Sequence, residues 1–228
     1  MKPTVLLFDI DRTLIDNGGA GRRAMERGLE ACHPGAVAAG WLDFRLGGYT
    51  DRLIVAEALR RGGVEADVEP VLEAYLSRLE EELERARDEY VVYPGVRELC
   101  RALSALEGLA LGLGTGNVER GARLKLAPGD LNRFFAFGGF GSDATERAEV
   151  LRVGVRRGAA RLGLPLERCR VVVIGDTPRD VAAGLAIGAC CVAVATGGYG
   201  QGELRASGAH HVFEGLDRGG VLEALLEG

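Results

Sequence analysis

The chain has 228 residues, a formal net charge of −5, 47% hydrophobic residues and 27% charged residues. This composition is typical of a globular protein with one large domain or one domain that carries an insertion. A net-acidic chain without a basic block does not fit a nucleic-acid-binding protein. Its apolar runs are far shorter than the roughly 20 residues that span a bilayer, so no membrane partner is expected.

The first predicted element is a strand over residues 4–8, a continuous apolar run typical of a central strand with both faces covered. Similar runs recur at 109–113, 171–174 and 190–195, and amphipathic helical patterns lie between them, for example at 96–106 and 150–162. Strands that alternate with helices predict an α/β fold with a doubly wound parallel sheet.

The segment from 17 to 91 has a different pattern. Residues 20–31, 51–61 and 68–87 show helical periodicity, and no strand-like run interrupts them. We therefore predict an all-helical insertion over 17–91, after the first strand, and an α/β domain built from residues 1–16 and 92–228.

Polar clusters follow three of the predicted strands. The first contains Asp9 and Asp11, the second is the segment 114–117 (GTGN), and the third is 175–180 (GDTPRD). Because the carboxyl ends of parallel strands share one edge of a sheet, we expect the three clusters to converge there. Two neighbouring carboxylates favour a hard divalent cation, and the GTGN turn would bind an anion through its hydroxyl and N–H groups.

These clusters resemble the motifs of the haloacid dehalogenase superfamily of phosphohydrolases. Residues 9–13 (DIDRT) are similar to its DxDxT first motif, 115–117 (TGN) to its second motif, and 175–180 to its GDxxxD fourth motif. Residues 48–51 (GYTD) are similar to a cap motif of phosphoglycolate phosphatase and β-phosphoglucomutase. The resemblance implies a Rossmann-like core and makes the insertion a helical cap, which we call the cap (residues 17–91).

The resemblance also implies an activity: Mg²⁺-dependent hydrolysis of a small phosphorylated metabolite through an aspartyl-phosphate intermediate. Asp9 would be the nucleophile and Asp11 the general acid and base. Mg²⁺ would be held by Asp9, the carbonyl of Asp11 and Asp176, with Asp180 as an outer partner. Asp11 favours phosphate chemistry over dehalogenation, because a halide leaving group needs no acid.

Phosphate binding is implied for Thr115, Gly116 and Asn117, together with a cation from the family's third motif. By position this cation is Arg147, and by residue type it is Lys125, since only two of the 28 basic residues are lysines. A third possibility is that neither cation contacts phosphate. An arginine can bridge phosphate and carboxylate groups, so either side chain is chemically adequate.

Two further residues carry specific expectations. Arg12 stands where members of the superfamily commonly have glycine, and its role is open. Arg52, in the cap, is the candidate for substrate recognition, although Thr50 or Asp51 as a helix N-cap beside an exposed arginine is the alternative.

Three alternatives to a phosphatase remain open. One is a phosphomutase of the β-phosphoglucomutase kind, and another is a catalytically silent binding protein on the same fold. The third is a signalling receiver, which would lack a helical insertion after its first strand. The five cysteines are odd in number and lack CxxC spacing, so we expect no disulfide framework and a reducing cytoplasmic setting. The expected oligomeric state is a monomer or a homodimer, and the sequence does not choose between them.

Overall fold

Eight strands and nine helices form in residues 2–227, the part of the chain that the computed structural model describes. The strands are β1 (Thr4–Phe8), β2 (Ile15–Asn17), β3 (Tyr90–Val92), β4 (Leu109–Gly114), β5 (Gly138–Gly139), β6 (Arg170–Gly175), β7 (Cys190–Val194) and β8 (His211–Phe213). The helices are α1 (Ala20–Cys32), α2 (Asp51–Arg61), α3 (Glu69–Arg85), α4 (Val96–Ser104), α5 (Glu119–Leu126), α6 (Arg147–Arg161), α7 (Pro178–Leu185), α8 (Gln201–Ala206) and α9 (Val221–Glu227).

Six of the strands form one parallel sheet in the order β5-β4-β1-β6-β7-β8. Strand β1 lies at its centre and pairs with β4 on one side and β6 on the other. Its side chains alternate between two fully buried faces, with Leu6 and Phe8 on one and Val5 and Leu7 on the other. The doubly wound parallel sheet predicted from the sequence is confirmed.

Helices cover both faces of this sheet. The face of Leu6 and Phe8 packs against side chains of α4 and α9, including Leu99 and Leu225. The face of Val5 and Leu7 packs against α6, through Leu151 and others. Because all six strands run parallel, their carboxyl ends and the loops that follow them lie on one edge.

The cap contains α1, α2 and α3, and the prediction that it is helical throughout is wrong at its ends. Strands β2 and β3 pair antiparallel, with Asn17 opposite Tyr90, and form a two-stranded ribbon where the chain enters and leaves the cap. Each strand has only three residues, too few for a visible alternation in the sequence. Helices α1 and α3 pack side by side through an apolar core that includes Met25, Leu29 and Tyr75.

None of the helices within residues 2–227 combines the length and the apolar character that crossing a bilayer requires.

Candidate active site

A cavity of about 280 Å³ lies between the carboxyl edge of the sheet and the cap. The sequence-predicted residues that line it are Asp9, Asp11, Thr115, Gly116, Asn117, Lys125, Arg147 and Asp176. The cap contributes Arg22, Met25, Tyr49, Asp51, Ile54 and Tyr75, among others. The cavity therefore brings together polar side chains from three strand ends. The cap residues that cover them are apolar and partly charged.

Asp9 directly follows β1, and its backbone N–H donates to the carbonyl of Ile174 over 2.8 Å. Its buried carboxylate has Oδ1 2.9 Å from Nη2 of Arg147. Burial raises the pKa of Asp9 to about 6, and the charge of Arg147 opposes that rise. Arg147 therefore favours the ionised form of Asp9, and burial opposes it.

Arg147, the first residue of α6, is buried beneath the cavity. Its Nη2 donates to the carbonyl of Gly114 over 3.3 Å and lies 2.5 Å from Oδ1 of Asp180. Although burial disfavours the charged form, the carboxylates of Asp180 and Asp9 hold the pKa of Arg147 above its usual range. Of the two third-motif candidates, Arg147 is the one that lies beside Asp9.

A second acidic group adjoins Asp9. Carboxylate oxygens of Asp9, Asp176 and Asp180 all lie within 4.8 Å of one another, and all three residues are buried. Burial, reinforced by the charges of Asp180 and Asp9, raises the pKa of Asp176 to about 9. Such a cluster is costly without a cation, and its oxygen-only donor set suits Mg²⁺.

The local sequence explains how Asp180 is held. Thr177 begins α7 as its N-cap, with Pro178 as the first helical residue. The Thr177 hydroxyl accepts from the backbone N–H of Asp180, while Oδ2 of Asp180 accepts from the backbone N–H of Thr177 over 3.0 Å. This reciprocal capping box fixes one oxygen of Asp180 and leaves the other beside Arg147.

Asp11 lies on the cap side of the cavity and has different partners. Its Oδ2 accepts from Nζ of Lys125 and Nδ2 of Asn117, each over 2.8 Å. Its Oδ1 accepts from Nδ2 of Asn17 over 2.6 Å. Although burial favours the neutral acid, Lys125 and Asn117 together hold the pKa of Asp11 below its usual range.

The TGN turn is in direct contact with the cap. The backbone N–H of Asp51 donates to the carbonyl of Gly116 over 2.8 Å, and a Cβ at Gly116 would overlap the carbonyl oxygen of Tyr49. Thr50 donates its hydroxyl to the carbonyl of Thr145 over 2.8 Å. Only glycine at position 116 lets the cap approach the turn this closely.

Arg52 is not part of this arrangement. Its guanidinium pairs with Glu69, 2.5 Å away in the cap, and it does not line the cavity. The expectation that Arg52 faces the substrate is therefore wrong for this structure, because α2 turns that side chain toward α3. Its neighbour Asp51, buried at the start of α2, lines the cavity instead, and burial raises the pKa of Asp51 to about 6.

Arg12 has a left-handed backbone, with φ of 64°. Glycine adopts this conformation without strain, which explains why glycine is common at this place in the motif. The Arg12 guanidinium pairs with Asp16 at 2.8 Å and is about half exposed. The long side chain therefore points to the rim of the cavity and leaves room around the carboxylates.

Residues 3–188 match the family of haloacid dehalogenase-like hydrolases. The chain belongs to this family. Because the match covers most of the chain, the hydrolase assignment applies to the sheet and cap together. No curated protein matches the sequence.

Solved structures support the assignment of this haloacid dehalogenase-like hydrolase. A hydrolase from Pseudomonas syringae is 26% identical, with a TM-score of 0.69 and 94% of each chain covered. CbbY from Rhodobacter sphaeroides in complex with phosphate is 18% identical, with a TM-score of 0.72 and 99% of each chain covered. A predicted phosphatase from Clostridium acetobutylicum is 17% identical, with a TM-score of 0.68 and full coverage of both chains. The last two likenesses show a shared fold.

Three cavity residues of this hydrolase had no signal in the sequence: Asn17, Arg22 and Tyr75. Asn17 is a strand residue of the ribbon, and the other two belong to cap helices. Their positions depend on how the cap sits on the sheet, which no local pattern encodes.

Proposed function

We propose that the protein is a Mg²⁺-dependent phosphatase that hydrolyses a small phosphorylated metabolite through an aspartyl-phosphate. One observation carries this proposal. The buried carboxylate of Asp9 lines the cavity with a cation, Arg147, 2.9 Å away, and with a second carboxylate, Asp11. A nucleophile, an anion-binding cation and a separate proton donor are the parts that a two-step phosphoryl transfer needs.

In the first step, an oxygen of Asp9 attacks phosphorus and the bond from phosphorus to the leaving oxygen breaks. Lys125 and Asn117 favour the ionised form of Asp11 in the free protein, so Asp11 must take up a proton before this step, and it then gives that proton to the leaving oxygen. In the second step, Asp11 takes a proton from water as the water oxygen attacks the aspartyl-phosphate. Inorganic phosphate leaves, and the Asp9 carboxylate is restored.

The transferred phosphoryl group would be bound by Arg147, the Thr115 hydroxyl and the backbone N–H groups of Gly116 and Asn117. These donors are fixed before substrate arrives, because Thr115 and Asn117 already bond to each other over 2.8 Å. Donors preorganised in a buried site stabilise developing charge more than mobile ones do.

Asp9, Asp176 and the backbone carbonyl of Asp11 would hold Mg²⁺, with Asp180 beside them. When bound, the ion supplies positive charge that lowers the cost of bringing an anionic phosphate to a carboxylate. The clustered carboxylates and the raised pKa of Asp176 support this assignment.

The substrate class follows from the cavity. A volume of about 280 Å³ under the cap suits a small metabolite and not a protein side chain on a folded partner. Sugar phosphates, phosphoglycolate and nucleoside monophosphates are all candidates, and fold alone does not choose among them.

The test is phosphate release from a panel of these esters, with Mg²⁺ and with excess chelator. Wild type should turn over at least one ester with Mg²⁺ only. Asp9→Asn should be inactive on the same ester, and Asp88→Asn, which changes an exposed aspartate of the cap, should keep wild-type activity. Activity in Asp9→Asn, or in chelator, contradicts the mechanism.

The panel also separates the alternatives. A phosphomutase would hold its phosphoenzyme and need a bisphosphate activator, whereas a phosphatase releases phosphate steadily without one. A silent binding protein would release none while still binding phosphate esters.

A further inference from the structure

Lys125 is a buried lysine in a chain that has only one other lysine, and the phosphatase mechanism above leaves it without a role. It lies in the last turn of α5 and is 5% exposed. Its Nζ donates to Oδ2 of Asp11 over 2.8 Å and to Oδ1 of Asn117 over 2.6 Å. A buried ammonium needs such partners, so its placement is specific.

The two cations of the cavity serve different carboxylates. Arg147 lies 2.9 Å from Asp9, where the phosphoryl group would be transferred. Lys125 is bonded to Asp11, the residue that would exchange protons with the leaving group and with water. The proposed chemistry does not require Lys125 to contact phosphate, because Arg147 already lies beside Asp9, where the phosphoryl group would bind.

The surroundings of Lys125 leave little free space around its ammonium. A Cβ at Gly21, on the first turn of α1, would lie 3.0 Å from Nζ of Lys125. The Tyr75 ring is buried beside it in the cap, and the Tyr90 hydroxyl donates to its backbone carbonyl over 3.0 Å. The ammonium of Lys125 is therefore closely surrounded by α1 and by the cap.

We infer that Lys125 is a positioning residue that acts on the reaction through Asp11 and not by binding phosphate. The inference rests on the proposed function. Asp11 has three side-chain donors, of which Asn17 and Asn117 are neutral amides and Lys125 alone is charged. Losing the strongest of them frees the carboxylate to rotate, and a misplacement of about 1 Å can cost on the order of 100-fold in rate.

The test is a double-mutant cycle of Lys125→Met and Asp11→Asn, read out as kcat/KM on ethyl phosphate and trifluoroethyl phosphate. These substrates are similar in size, but the trifluoroethoxide leaves without much help from an acid. Lys125→Met should slow ethyl phosphate by roughly 10-fold or more and trifluoroethyl phosphate by clearly less. In the Asp11→Asn background, the same substitution should change either rate by less than about 2-fold.

The ratio of kcat/KM for the two substrates is measured on one preparation of each variant. It does not depend on the fraction of that variant that is folded. Lys125→Arg, which keeps the charge, serves as a second variant and should also shift the ratio, because a planar guanidinium does not reproduce the contacts of Nζ with Asp11 and Asn117. Equal losses on both substrates, or losses that multiply with those of Asp11→Asn, would mean a direct phosphate ligand and overturn the inference. If wild type hydrolyses neither these two esters nor any ester of the panel above, the proposed function itself is overturned, and the inference with it.

Discussion

The carboxylate of Asp51, on the first turn of α2, accepts a hydrogen bond from the backbone N–H of Val118, just before α5, with 2.9 Å between Oδ2 and N. The backbone N–H of Asp51 donates in turn to Gly116. One cap residue thus bonds both to the turn that we propose to bind phosphate and to the residue that follows it. The docked cap therefore helps to hold that turn in place.

We expect Asp51→Ala to destabilise the closed arrangement. The substitution leaves the buried N–H of Val118 without its acceptor, which costs about 1–3 kcal/mol, while Thr50 still caps α2. The comparison is made near pH 4, because the raised pKa of Asp51 would offset part of this cost at pH 7. Urea unfolding measures this change, with Asp88→Ala as an exposed control. Equal free energies of unfolding for Asp51→Ala and wild type would contradict the assigned contact.

Gly116→Ala should separate the cap from the TGN turn. The new methyl group would overlap the carbonyl oxygen of Tyr49, so the cap cannot dock as it does here. We expect kcat/KM to fall by about 10-fold or more and the loop over 33–50 to be cut faster by protease. The control is Gly202→Ala, a helical site with nothing within 4 Å of the added carbon, which should behave as wild type.

Asp176→Asn should reveal the metal site without any assay of activity. Burial and like charges raise the pKa of Asp176 to about 9, so in metal-free protein this carboxyl disfavours folding at pH 7. The amide removes that cost, and we expect a Tm a few degrees above metal-free wild type. Mg²⁺ should raise the Tm of wild type and of Asp88→Asn, and leave Asp176→Asn unchanged.

The pH dependence of cap stability is predicted from Glu82, a buried residue of α3. It accepts from Arg27 over 2.6 Å, Arg23 over 2.9 Å and Arg85 over 3.0 Å. Although burial opposes ionisation, hydrogen bonds from Arg27 and Arg23 hold the pKa of Glu82 below its usual 4.5. Its contribution is therefore present above pH 4.5 and lost as the pH falls through the lower folded pKa.

Glu82→Gln should accordingly cost about 1 kcal/mol at pH 7, a modest figure because the arginines are partly exposed. The difference from wild type should shrink as the pH falls below 4.5 and through the lower folded pKa, where the native carboxylate also becomes neutral. Glu81→Gln, whose carboxylate is about half exposed, is the matched control and should change little. Urea unfolding at pH 7 and near pH 3 makes the comparison.

Much of the sheet was predictable because its strands are buried on both faces. The bounds predicted for β1 are those of the structure, since its apolar run stops at Asp9. Strand β5 was not predicted, because it is two glycines, and glycine has little tendency to form strands. Its pairing with β4 comes from the tertiary structure alone.

The residues of the candidate site also fall into those that the sequence could predict and those that it could not. Motif residues at strand ends, such as Asp9 and Thr115, could be grouped from the sequence because parallel strands share an edge. The partners of Asp11 could not, because Asn17 and Lys125 reach it from the ribbon and from α5 only after folding. The prediction for Arg52 was wrong because the sequence does not show which face of α2 lies toward the cavity. That orientation is set only when the helix packs.

The scarcity of lysine makes the site unusually easy to observe. Lys2 is exposed and Lys125 is buried, and these are the only lysine side chains in 228 residues. Labelled methyl groups attached to the lysine amines would give one signal from Lys2 at the surface and one from Lys125 beside Asp11, apart from any signal of a free α-amine. The rate at which the amine of Lys125 is modified would then report how often the cap exposes it to solvent.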